Sequence, residues 1–263
     1  MIRRFNDWGE WVRFVSTGPY KSDSHSREGG KDWQGTDTFD KALTLARNGM
    51  DATDYVRAVE YVSEDISHAI QPVEYVPDFT GVYFDVGLVV AGEPEHWFQQ
   101  SPIDSINRKR CRLVINNTAS AGVSSEVIAN RGKALFSLAA SLDMAGISTS
   151  VELVYAARKG RGDLYEYWVK LKEYGSHPDY SLAAYAIGHT AAFRRLAFAA
   201  FEKDTSIDSL YPEAVATDTD SDDSTSVVYL DRMYYGESQW ESDEKCLAWV
   251  RERLEAMGVQ FQY

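Results

Sequence analysis

Apolar and polar positions repeat at two different periods along this chain, and the most regular stretch lies near its middle. Cys111-Arg112-Leu113-Val114-Ile115 reads as a strand, and polar residues from Asn116 to Gly122 follow as a loop. Ser124 or Ser125 then offers a capping oxygen to a helix whose apolar stripe runs through Val127, Ile128, Leu135, Leu138, Ala139 and Leu142 and stops near Gly146. Val151 to Tyr155 reads as a second strand. Strand, helix and strand in this order predict a right-handed parallel crossover.

Other elements are spelled out on either side. Thr38 caps a helix carrying Phe39, Leu43 and Ala46 at helical spacing, and Gly49 suits its left-handed stop. Tyr55, Val59, Val62 and Ile66 predict a helix over 54–70 that ends before Pro72, Val82 to Val86 a strand, and Gly92-Glu93-Pro94 a turn. Residues 164–174 fit either period; the alternation of Tyr165, Tyr167 and Val169 favours a strand. An Ala-rich helix is expected over 181–203, an acidic loop at Asp218 to Ser224, a strand at Val227 to Leu230 and a last helix from Ser242 to Met257. No internal repeat is present. The fold expected is α/β, a central mixed, mostly parallel sheet flanked by helices. A helical and loop extension over 1–75 packs on a core over 76–263, or the two form one domain.

Composition narrows the function classes. Met1 to Asp7 is polar from its third residue and no apolar run approaches the ~20 residues of a membrane span, so neither secretion nor a membrane partner is expected. Two cysteines, Cys111 and Cys246, make no disulfide scaffold and fit a reducing compartment, here a cytoplasm. A net charge of −13 argues against a protein coated in positive charge for duplex DNA. The charge is uneven, however. Acidic residues crowd into 204–223 and 237–244, whereas Arg108, Lys109, Arg110 and Arg112 form one basic group and Arg158, Lys159 and Arg161 another.

Catalytic signatures are sparse. His25, His68, His96, His177 and His189 show no metal-ligand spacing, and neither a Gly-x-Ser-x-Gly elbow nor a phosphate-binding glycine loop occurs. The run Asp218 to Asp223 lacks the glycine and the terminal glutamate of a calcium loop and reads as a solvated segment. No cofactor is expected, and the chain reads as a binding protein rather than an enzyme. Of the aromatic residues Trp8, Trp11, Trp33, Tyr165, Tyr167 and Trp168, most are expected in the core. Trp33 is the exception, because it sits in polar Gly29 to Gly35.

Two resemblances sharpen the expectation. Asn116, Thr118 and Ser120 alternate after the central strand and resemble the Asp-x-Ser-x-Ser metal-adhesion loop of von Willebrand factor type A domains, over roughly residues 110–156. Asn116 stands at the carboxylate position, so the charge that would hold a cation is missing, and the plainer reading is a loop whose side chains satisfy backbone groups. The segments Ser26 to Thr36, Phe39 to Gly49, Leu88 to Glu95 and Val114 to Val123 are similar in order and spacing to a family of phage and prophage proteins. Within that neighbourhood the chain resembles the Drc-like single-stranded-DNA-binding transcription regulators of lytic podoviruses. That resemblance implies an early, non-enzymatic, oligomeric protein in the host cytoplasm that binds single-stranded DNA and supports middle transcription by a phage RNA polymerase, and possibly replication. Residue type and position then make Arg108, Lys109, Arg110, Arg112, Arg158, Lys159 and Arg161 candidate phosphate contacts and Trp33 a candidate stacking ring. The alternative is a von Willebrand type A-like module with a protein partner.

Overall fold

The computed structural model describes residues 1–18, 25–63, 75–78, 83–84, 88, 93–94, 97–100, 109–176, 178–205, 210–214 and 225–259. From the start of the chain, β1 (Ile2–Phe5) leads into α1 (Trp8–Ser16), a short α2 (Lys31–Gln34), α3 (Phe39–Asn48) and α4 (Thr53–Ser63). β2 (Tyr75–Asp78), β3 (Tyr83–Phe84) and β4 (Trp97–Gln100) form a small antiparallel sheet of their own. Next come β5 (Arg110–Asn116), α5 (Ser125–Met144), β6 (Ser148–Lys159) and β7 (Leu164–Lys172). α6 (Tyr180–Gly188), a π-helical turn (Ala192–Ala197), α7 (Phe198–Asp204), β8 (Leu210–Pro212), β9 (Thr225–Leu230) and α8 (Asp243–Ala256) complete the order.

The architecture is α/β, with a six-stranded, mostly parallel mixed sheet ordered β1-β7-β6-β5-β9 and helices packed on it. The predicted crossover is its centre: β5 and β6 run parallel with Leu113 beside Val151 and Ile115 beside Leu153, and α5 joins them. β9 lies parallel on the far side of β5, β7 returns antiparallel along β6, and β8 pairs with Ala157 to Lys159, beyond the stretch of β6 that β5 covers. β1 closes the opposite edge, parallel to β7, so the N-terminal segment supplies a strand of the sheet itself.

Strand alternation sorts the side chains into two layers. Leu113, Ile115, Leu153, Tyr155, Tyr167 and Val169 join one cluster with helical residues such as Trp11, Ala42, Leu135, Leu138, Phe201 and Leu254. Val114, Val154, Ala156 and Trp168 form a separate cluster on the other face. Four of the five ring systems expected in the core are there: Trp8, Trp11, Tyr167 and Trp168 are buried, while Tyr165 is half-buried. Cys111 and Cys246 are free and buried, and burial pushes their thiols up to about 12 and about 11.

The caps follow the expected chemistry. Thr38 Oγ1 accepts the Lys41 N–H at 3.1 Å, Ser124 Oγ that of Val127 at 3.2 Å and Ser242 Oγ that of Lys245 at 3.3 Å. One expectation fails. The single helix over 181–203 is instead broken into α6, the π-helical turn and α7. α6 closes at Gly188, where the phenol of Tyr55 passes and a Cβ would lie 1.8 Å from Tyr55 Oη. The π-helical turn then turns two consecutive arginines, Arg194 and Arg195, inward. Residues 64–70 of the predicted second helix, most of the strand and turn at 82–94, and the acidic loop 218–224 lie outside the described residues.

α4, α5 and α6 meet at two glycines, and a Cβ on Gly132 would stand 2.3 Å from Gly188 Cα. Gly132→Ala is therefore expected to destabilise the fold by about 3 kcal/mol, at the upper end of ordinary overpacking. Gly30→Ala, with nothing within 4 Å of the added methyl, is the matched control expected to leave the urea midpoint unchanged.

Candidate nucleic-acid interface at the carboxyl ends of the central strands

In open α/β sheets, ligands bind outside the carboxyl ends of strands where the strand order reverses. Here that point lies between β5, whose crossover runs to β6, and β9 on its other side. The loop after β5 occupies it, and its polar side chains turn inward. Asn116 Oδ1 accepts from Thr118 N at 3.2 Å and Thr118 Oγ1 at 2.5 Å, and Asn116 Nδ2 donates to Glu213 O at 2.8 Å. Asn117 Nδ2 donates to Ala186 O at 2.9 Å. Arg131 reaches up from α5 and donates to Asn116 O at 3.3 Å and Asp231 O at 2.7 Å, tying the ends of β5 and β9 together. Burial lowers this guanidinium to about 10, against the pull of Glu237 and Asp231.

These residues do not suit a divalent cation. The Asn116 oxygen is already engaged, a buried guanidinium lies beneath it, and no group of three His, Cys, Asp or Glu residues fit to hold a metal occurs among the described residues.

The polar arm in front of this loop is held by two further buried arginines. Arg194 donates to Trp33 O at 2.7 Å and Val123 O at 2.6 Å, so one side chain bridges arm and loop. Arg195 donates to Ser26 O at 2.8 Å, Thr36 Oγ1 at 2.8 Å and Thr36 O at 2.7 Å. Neither shows an ion pair with a carboxylate among the described residues; burial lowers Arg194 to about 10 and lowers Arg195 as well. Glu202 completes the clasp by accepting Ser26 N at 2.7 Å and Ser26 Oγ at 2.6 Å, with Arg27 at 3.8 Å. Burial raises its carboxyl, and the Ser26 hydrogen bonds partly offset that.

This scaffold fixes Trp33. Its indole N–H donates to Ala121 O at 3.2 Å, the Arg194 guanidinium stands 4.5 Å from its ring, and Phe198 packs at 5.7 Å. The ring remains 38% exposed and walls a cavity of about 360 Å³ together with Phe193, Phe198, Phe201, Tyr211 and Thr118. Among the described residues no carboxylate lines this cavity, in a chain of net charge −13. The second basic group borders it, because β8 pairs Tyr211 with Arg158 and Leu210 with Lys159. Alternation sets Lys159 on the face of Ala157 and Leu210 and Arg158 on that of Ala156 and Tyr211, all four partners being lining residues, and Arg161 stands exposed in the turn to β7. Arg158 is tied to Glu213 at 3.0 Å and Gly162 O at 3.1 Å.

The first basic group is elsewhere. Arg110 pairs with Ser148, the first residue of β6, about 33 Å along that strand from Arg158 at about 3.3 Å per residue. Arg112 is held by Glu152 at 2.5 Å, Arg110 lies 5.5 Å from the Tyr174 ring, Lys109 is exposed, and Arg108 lies outside the described residues. The structure thus sets Lys159 beside Leu210 of the Trp33 cavity and places Lys109, Arg110 and Arg112 toward the opposite end of β6. Tyr211, 62% exposed at the cavity, was not singled out by sequence, and its three-residue strand carries no periodic signal.

The chain belongs to the family described as a domain of unknown function (DUF7192), whose model matches residues 1–260. No curated protein and no solved structure matches it. No described helix is long and apolar enough to cross a membrane.

Arg195→Met is expected to destabilise the protein by about 3 kcal/mol, because several buried acceptors lose their donor at about 1–3 kcal/mol each. Urea unfolding and faster tryptic cleavage after Arg27 or Lys31 would report it. His189 adds a pH dependence. It stacks on Tyr185 at 5.1 Å, its Nδ1 accepts from Ala191 N at 3.1 Å, and burial pushes it from 6.5 down to about 4. Between those values the unfolded chain binds the extra proton, so stability is lost as pH falls from 6.5 toward 4. The melting temperature of His189→Gln should fall less steeply across that window than that of the unaltered chain.

Proposed function

We propose that this protein binds single-stranded DNA at the carboxyl end of its sheet, with Trp33 and Tyr211 offering stacking faces and Lys159 and Arg161 meeting phosphates. The observation that carries this reading is a preset aromatic cavity with no carboxylate among its described lining residues, beside the end of β6 that carries Lys159, on a strongly acidic chain. A base stacked on an aromatic ring contributes about 1–3 kcal/mol whatever its sequence, so few cations are needed. No ion pair joins Lys159 or Arg161 to a carboxylate among the described residues. The resemblance to phage single-strand-binding regulators agrees with this ligand. It extends the proposal to a non-enzymatic, oligomeric phage protein acting with a phage RNA polymerase in the host cytoplasm. A second reading, a von Willebrand type A-like module for a protein partner, is favoured by the β5–α5–β6 crossover and the polar loop at its carboxyl end.

Fluorescence anisotropy of labelled oligo-dT at low and near-physiological salt, against a duplex of equal length, separates the two. Preferential single-strand binding with a steep salt slope is expected, because phosphate contacts release counterions. Lys159→Ala with Arg161→Ala should shallow that slope by about 1.4, at about 0.7 per phosphate contact on single strands. Arg110→Ala with Arg112→Ala should leave it unchanged; a loss in this second pair instead would move the site to the start of β5. Absence of binding at low salt would leave the protein-interaction module as the account of the fold.

A further inference from the structure

We infer that the cavity behind Trp33 receives one unstacked nucleobase of the bound strand, so that a single inserted base, rather than uniform coating, sets the position of the DNA. This rests on the single-strand reading above and goes beyond it. About 360 Å³ lies at the small end of ligand pockets, which run from about 300 to 1,000 Å³, and suits one planar group with part of its sugar.

The wall chemistry matches a base and little else that is charged. Phe193 and Phe198 meet edge to face at 5.3 Å, and Trp33 packs on Phe198 at 5.7 Å, giving a continuous aromatic lining. The small side chains Ala119, Ala121, Ala156 and Ala157 leave the open space between those rings. Two polar side chains reach the lining, Thr118 and His25. Thr118 is fully buried and donates its hydroxyl proton to Asn116 Oδ1, so it braces the wall, and the exposed His25 is the polar side chain a base would meet.

The lining is also set before any ligand arrives. Trp33 is fixed through its indole N–H, its carbonyl and the guanidinium of Arg194, and the loop opposite is fixed by the same arginine at Val123 O. A wall already ordered spends little free energy on immobilisation when a ring enters. With Lys159 paired to the lining residue Leu210 and Arg161 in the adjoining turn, a phosphate just outside the cavity would meet positive charge while its base points inward.

Three labelled oligomers of one length decide the matter by anisotropy: oligo-dT, the same backbone with every site abasic, and that abasic backbone carrying one central thymine. The single thymine is expected to raise affinity over the fully abasic strand by about tenfold, the effect of one stacked base. Ala121→Leu, which adds bulk at an exposed lining position, should erase that gain, the strands with and without thymine then binding alike. Equal affinity for the abasic strand with and without its thymine overturns the base pocket, while the single-strand reading survives on phosphate contacts. Failure of all three oligomers to bind overturns both. Competition by free thymidine monophosphate at the concentration of the oligomer would transfer the cavity from a strand to a free nucleotide and overturn the strand as its source.

Discussion

Arg131, Arg194 and Arg195 are buried, and the carbonyl oxygens of neighbouring segments take their protons. Backbone carbonyls at the ends of strands and in irregular arms have no ladder partner, and a buried one left unpaired is costly. A guanidinium answers several at once, with up to five donors in a fixed plane. Arg131 closes the gap between β5 and β9, Arg194 joins the arm to the loop, and Arg195 threads the arm from Ser26 to Thr36. Together with Glu202 on Ser26 and the Trp33 indole on Ala121 O, they hold the arm over the sheet and fix the place of Trp33.

The regular parts of this fold were legible because their signals are local. Thr38, Ser124 and Ser242 are capping residues wherever they precede an apolar stripe, and Leu113 with Ile115 reads as a buried strand before any partner is known. β1 was hidden, since only Phe5 of Ile-Arg-Arg-Phe is buried and the rest resembles a polar lead-in. α1 was legible and passed over: Trp8, Trp11, Val12 and Val15 sit at helical spacing. The break after α6 left no trace in an Ala-rich run that satisfies every helical pattern, and an arginine pair gives no sign of facing inward. At the site, Trp33 stood out by its polar neighbours. Its cations did not, because sequence order sets one basic group at a strand start and the other at a strand end, as found, but gives no sign of which end Trp33 approaches.

The acidic balance of the chain acquires a meaning from that placement. Carboxylates pair with cations elsewhere on the sheet, as Glu152 does with Arg112, Asp204 with Arg3 and Glu213 with Arg158. Lys159 and Arg161 are left at the opening. An overall negative field weakens indiscriminate attachment to nucleic acid and leaves a short positive stretch to act at close range, within a Debye length of about 8 Å at physiological salt.

The parallel pairing of β1 with β7 also governs how the molecule is assembled in time. The amino group of Met1 donates to Leu164 O across 163 positions, and Ile2 lies beside Glu166. At about 5–20 residues per second, a ribosome needs on the order of ten seconds to deliver the partner after β1 has emerged. Through that interval an unpaired strand edge invites association with other nascent chains, and two arginines in a four-residue strand are a protection against it. The same pairing makes the sheet's last edge a long-range contact, so its closure belongs among the slow events of folding.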